Sequence, residues 1–131
     1  MHRKQKDLKQ LQEWKHENFV NSSFEDNKTL IVTLNFKNLE GYEKDFDFQV
    51  TIPTQYPLSH CKVQAKTPIY HPQVYSNGVM CATFTPSNTL VDVVEYIINV
   101  VSCPDYSQAV SDVAKETTSV EKLREYHKIT I

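Results

Sequence analysis

Apolar side chains recur along this chain with two different periods. Between residues 3 and 17, Leu8, Leu11 and Trp14 spread over about 120° of one helical face, which predicts an amphipathic helix. Arg3, Lys6 and Lys9 recur at every third position and point away from that stripe. From residue 30 the period becomes two. Leu30, Val32, Leu34 and Phe36 alternate with Ile31, Thr33 and Asn35, as in a half-buried strand. A turn around Glu40-Gly41 separates this run from a second, where Phe46, Phe48, Val50 and Ile52 alternate with Asp47, Gln49 and Thr51. Past Tyr56-Pro57 a third run sets Cys61, Val63 and Ala65 against Lys62, Gln64 and Lys66. Three strands joined by short turns predict an antiparallel meander.

Residues 67–88 have no regular period, contain Pro68, Pro72 and Pro86, and carry the turn signal Asn77-Gly78. A loop this long inside a compact domain is uncommon and usually functional; it holds Cys81. Residues 90–101 are apolar nearly all round, with Asp92, Glu95 and Asn99 forming a narrow polar stripe. Thr89 and Asp92 suit an N-terminal cap, and Pro104 ends the helix. Ser107 can then cap a short helix carrying Val110, Val113 and Ala114, before a last helix with Val120, Leu123 and His127. The resulting order is an α+β arrangement: N-terminal helix, antiparallel meander sheet, loop, then C-terminal helices, in one domain over residues 1–131.

Composition narrows the function classes. At 131 residues, 40% hydrophobic and 23% charged, the chain can bury one real core without staples. A net charge of −2 lacks the basic footprint of a nucleic-acid binder. No apolar run is as long as a membrane span or a signal core. The expectation is a soluble chain of the cytoplasm or nucleus, with neither nucleic acid nor membrane as partner. Cys61, Cys81 and Cys103 make an odd count with no Cys-x-x-Cys pair, which favours a reducing compartment and leaves a free thiol to explain. Cys61 lies in a predicted strand and Cys103 at the end of an apolar helix, where packing explains them. His60, Cys61, His71 and Cys81 lack paired metal-ligand spacing, so no metal is expected. His71 could pair with Cys81 as in a thiol protease, although no third orienting residue is evident.

The run His71-Pro72-Gln73-Val74-Tyr75-Ser76-Asn77-Gly78-Val79-Met80-Cys81 resembles the active-site signature of ubiquitin-conjugating enzymes. That signature is His-Pro-Asn, then seven intervening residues that usually include Asn-Gly, then the catalytic cysteine. Tyr56-Pro57, Pro68-Ile69-Tyr70 and the order of elements also fit, so the resemblance spans nearly the whole chain. It implies a UBC-like fold in which Cys81 takes ubiquitin or a ubiquitin-like modifier from an activating enzyme as a thioester and, with a ligase, passes it to a substrate lysine. ATP is used by the activating enzyme, so this chain needs no cofactor. A thiol suits a carrier, because exchange between thioesters is nearly isoenergetic and an ordinary thiol, pKa about 8.5, is already a few per cent thiolate at neutral pH.

The resemblance also implies site roles. Gln73 stands where the family's asparagine steadies the oxyanion, keeping the donor but adding a methylene. The acidic position that helps to deprotonate the incoming lysine falls near Asp105 to Ser107, with Ser107 in register and Asp105 two residues away. His71, Asn77 and Gly78 shape the loop. The Arg3, Lys6 and Lys9 face would dock the activating enzyme, and Leu58, where many members have phenylalanine, would meet the ligase. Residues 82–88 are shorter than usual and lack the family's tryptophan, and His60-Cys61 replaces a usual Pro-Pro. Leu39-Glu40-Gly41-Tyr42, Phe24-Glu25-Asp26 and Gln5-Lys6-Asp7-Leu8 are similar to the neddylation branch. The alternatives are therefore a neddylation-type enzyme, or an inactive ubiquitin-binding variant of the same fold.

Overall fold

The computed structural model describes residues 3–110 and 119–130. Helix α1 spans Arg3–Glu13, followed by strands β1 (Phe19–Phe24), β2 (Thr29–Asn35), β3 (Asp45–Thr51), β4 (Lys62–Ala65) and β5 (Val79–Met80). Helix α2 covers Leu90–Ser102; a 3₁₀ turn at Tyr106–Gln108 and helix α3 (Val120–Tyr126) come after it. The sheet order is β1-β2-β3-β4-β5, every pair antiparallel. This is a meander, in an α+β fold.

Alternation sets the two faces of the sheet. Leu30, Val32 and Leu34 lie directly opposite Val50, Phe48 and Phe46, and all six are buried. They share one core with Leu90, Val93, Val94, Ile97 and Val101 of α2, each such side chain contributing about 1.5–3 kcal/mol by leaving water. Asp92, Glu95 and Asn99 face solvent. At the start of α2 the Thr89 hydroxyl accepts from the Asp92 N–H, and the Asp92 carboxylate accepts from the Thr89 N–H at 2.8 Å, a closed capping box.

The sheet has two more strands than the alternation predicts. β1 reads Phe-Val-Asn-Ser-Ser-Phe, lies at the edge and is bulged between Phe19 and Asn21. An edge strand of this kind buries no regular stripe, so it carries no period-two signal. β5 has only two residues, too short for any period. Helix α1 stops at Glu13 rather than residue 17; there the Trp14 ring packs against Phe19, centroids 5.4 Å apart, at the turn into β1. The cap ahead of the 3₁₀ turn is Asp105, not Ser107: its carboxylate accepts from the Ser107 N–H at 3.0 Å, a role that Asp fills as well as Ser. Val113 and Ala114, expected on a short helix there, lie outside the described residues.

Buried polar groups tie the elements together. Asp7, almost fully buried, accepts from Arg3 Nε at 2.7 Å and from the Tyr56 hydroxyl. Burial of a carboxylate is costly unless it is paired and hydrogen-bonded, and here it is both. His127 accepts from the Tyr70 N–H at Nε2, 2.9 Å, so its Nδ1–H donates to the Gly41 carbonyl, 2.8 Å. The Tyr42 hydroxyl donates to the Tyr70 carbonyl at 2.6 Å. The C-terminal residues thus pin the segment that leads into His71.

Candidate active site

Residues 74–80 fold back on themselves. Val74 bridges Met80, the Tyr75 N–H donates to the Val79 carbonyl at 3.0 Å, and the Gly78 N–H donates to the Tyr75 carbonyl at 2.8 Å. Gly78 closes this loop at φ +89°, a conformation that glycine adopts without steric cost. The Asn77 side chain accepts from the Val79 N–H at 3.1 Å. Two bonds staple the hairpin to β4: Ala65 N–H to the Gly78 carbonyl, 2.7 Å, and Gln64 Nε2 to the Asn77 carbonyl, 2.9 Å. Asn77 and Gly78 therefore hold the turn that precedes Cys81.

Since Val74 and Met80 point into the core, the residues alternating with them point out, and Cys81 is exposed. It lines an open groove of about 330 Å³ together with Gln64, Val79 and Ala82. Two tyrosines flank it that the signature alone does not single out. The neighbouring Cys81 side chain raises the Tyr75 hydroxyl above the usual tyrosine range. The Tyr96 hydroxyl donates to the Cys81 carbonyl at 2.9 Å, and burial, then the Cys81 charge, raise it as well. Tyr75 could have been found from register: it stands diagonally across the Val74–Met80 bridge from Cys81, a separation that aromatic side chains span.

His71 does not pair with Cys81. It is buried, its Nδ1 accepts from the Gln73 N–H at 3.1 Å, and its Nε2–H is left to donate to the Val101 carbonyl, also 3.1 Å. With both nitrogens occupied by backbone, the imidazole braces the loop against α2. Burial pushes its pKa down to about 4, from 6.5. The unfolded chain therefore takes up the proton first, and the stability tied to neutral His71 is complete above pH 6.5 and lost as pH falls towards 4. A shift of that size corresponds to about 3 kcal/mol. Urea unfolding between pH 7 and pH 4 should show a steep loss for the native chain. His71→Gln should be less stable at pH 7 but lose less on acidification; equal losses would contradict the neutral, bracing imidazole.

Gln73 is tied across to the segment after α2. Its Oε1 accepts from the Asp105 N–H at 2.9 Å and its Nε2 donates to the Asp105 carbonyl, so one of its two amide hydrogens is already committed. Asp105 in turn accepts from the Ser107 N–H and hydroxyl. Gln73, Asp105 and Ser107 thus form one connected set, with both latter side chains exposed.

The basic face of α1 is only partly free. Lys6 and Lys9 are exposed. Arg3, expected on the same solvated face, instead turns inward to Asp7 and donates to the carbonyls of Pro86 (2.8 Å) and Asn88 (2.7 Å); an Asp four residues on pulls it round the helix. Leu58 is 80% exposed. Cys61 is buried, and burial raises its thiol to about 11. Cys103, expected to be packed, is exposed, because it forms the C-cap of α2 beyond the helix's buried stripe. Among the described residues, no helix is long and apolar enough to cross a membrane, and no three His, Cys, Asp or Glu side chains gather as a metal site.

Two comparisons bear on this arrangement. A family model described as ubiquitin-conjugating enzyme matches residues 3–130. The comparison with curated proteins returned no match.

Proposed function

The chain belongs to the ubiquitin-conjugating enzyme family, and on that premise we propose that Cys81 carries ubiquitin, or a ubiquitin-like modifier, as a thioester and passes it to a lysine amine. One observation carries this reading: an exposed thiol stands at an open groove on a hairpin stapled to the sheet. Such a loop presents the sulfur while the fold holds it still. The thiolate attacks the modifier's thioester on the activating enzyme, and the acyl group moves to Cys81. The exposed Lys6 and Lys9 suit an acidic docking surface on that enzyme, and the projecting Leu58 supplies an apolar contact for a ligase.

In the second step a lysine amine attacks the thioester carbonyl, the oxyanion collapses and the Cys81 thiolate leaves. Gln73 acts here as a positioning residue: it clasps the backbone of Asp105, whose carboxylate, held by Ser107, faces solvent to orient the amine and take its proton. Gln73→Ala should slow discharge to free lysine about tenfold while charging stays near normal. Gln73→Asn, one methylene short of both bonds, should fall between. Discharge unchanged in both variants would remove Gln73 from the reaction.

The reading itself is tested by incubating the chain with activating enzyme, ATP and modifier. A band that disappears on treatment with reductant supports it. Charging by the neddylation modifier but not ubiquitin would assign the chain to that branch. No adduct with either would favour a binding module of the same fold, the reading that the loss of the family's asparagine and tryptophan favours.

A further inference from the structure

We propose that Lys62 is a self-modification site, taking the modifier from Cys81 of the same chain. This rests on the reading of Cys81 as the acyl carrier. The first observation is register. β4 and β5 pair Gln64 with Val79 and Val63 with Met80; one step further, Lys62 stands opposite Cys81. Val63 and Met80 point inward, so Lys62 and Cys81 share the outer face, and both are exposed. Directly opposed residues have Cβ atoms about 4.5–5.5 Å apart, well within the span of a lysine side chain. The second observation is that Lys62 and Cys81 line the same groove. The third is that Lys62 is uncommitted: among the described residues it makes no ion pair or side-chain hydrogen bond. Lys66, by contrast, pairs with Glu25, while Lys4 and Lys44 donate to the carbonyls of Asn27 and His127.

The chemistry balances without a further reagent. The neutral amine's lone pair forms a C–N bond to the thioester carbonyl, and the C–S bond breaks with its electrons on the Cys81 sulfur. The proton shed by nitrogen goes to that thiolate or to water. The products are an isopeptide on Lys62 and a free Cys81 thiol. Because thiol and amine share one groove, the reaction is intramolecular and gains the effective concentration of that arrangement. A chain stored charged, without an acceptor, would consume its own modifier and place a bulky group beside its thiol.

The test is single turnover. The chain is charged with ubiquitin (or the neddylation modifier, if that is the one that charges), the activating enzyme is stopped by removing ATP and magnesium, and conversion of the reductant-sensitive to the reductant-resistant band is followed at two protein concentrations. The expected result is a first-order rate independent of concentration, an isopeptide on the tryptic peptide containing Lys62, and a rate about tenfold or more lower in Lys62→Arg with charging unchanged. A resistant adduct on another lysine, a rate that scales with concentration, or an unaltered rate in Lys62→Arg would overturn the proposal while leaving the carrier reading intact. A chain that never forms the reductant-sensitive band would overturn both.

Discussion

Cys81→Ser is expected to abolish the reductant-sensitive adduct and to leave at most a slow, reductant-resistant ester. A hydroxyl is a far weaker nucleophile than a thiol at neutral pH, so the charging rate should fall by at least about 10³. Cys103→Ser supplies the contrast. Its thiol is exposed as well, but it sits at the end of α2 rather than on the stapled hairpin, and the variant should charge at the native rate. Cys61 is buried with its thiol raised, which suppresses the thiolate and removes it as a competitor. Gel assays of charging on the two serine variants decide the matter. Native charging by Cys81→Ser, or its loss in Cys103→Ser, would move the acyl site away from residue 81.

Gly78→Ala should be the most damaging single-atom change near the site. The backbone at φ +89° disfavours any L side chain, and an added Cβ would stand 2.5 Å from the Ala65 carbonyl oxygen. That oxygen belongs to the β4 backbone and has little freedom to move. Either the hairpin shifts or its bond from the Ala65 N–H is lost, and strain plus the lost bond should cost about 2–4 kcal/mol. Charging should fall further than the loss of stability alone explains, because the hairpin aims Cys81. Gly41→Ala is the control. It is strained in the same way, at φ +88°, but meets the Leu123 side chain, far along the chain from the cysteine. It should destabilise the fold and spare the charging rate of the folded fraction. Urea midpoints and initial charging rates on both variants check this; a Gly78→Ala chain unchanged in both would sink the account of the turn.

The sheet was legible where one face is buried and the other wet. β2, β3 and β4 show their alternation openly, as does the polar stripe of α2, and the Thr89–Asp92 capping box was visible in the spacing alone. β1 and β5 were not legible: one is a bulged edge and the other two residues long, so neither leaves a period. In the site, the Asn77-Gly78 turn was readable from its own two residues, whereas His71 takes a partner, the Val101 carbonyl, that no local signal points to. What could not be read depends on partners distant in sequence. Asp7 looks like a surface charge until Tyr56 and Arg3 close on it; Arg3 looks like solvated surface until the carbonyls of Pro86 and Asn88 meet it. Gln73 looks like a free amide until the Asp105 backbone takes both its ends.

The most direct test of Cys81 as the carrier is the intact mass of the native chain after charging, before and after reductant, with the attachment residue mapped by proteolysis under acid. For the adduct sampled at the earliest times, before transfer to Lys62, the account predicts one modifier per chain, added with loss of water, attached at residue 81, and released by reductant to return the unmodified mass. No added mass with ubiquitin or the neddylation modifier, or an adduct mapped to Cys103, would contradict it.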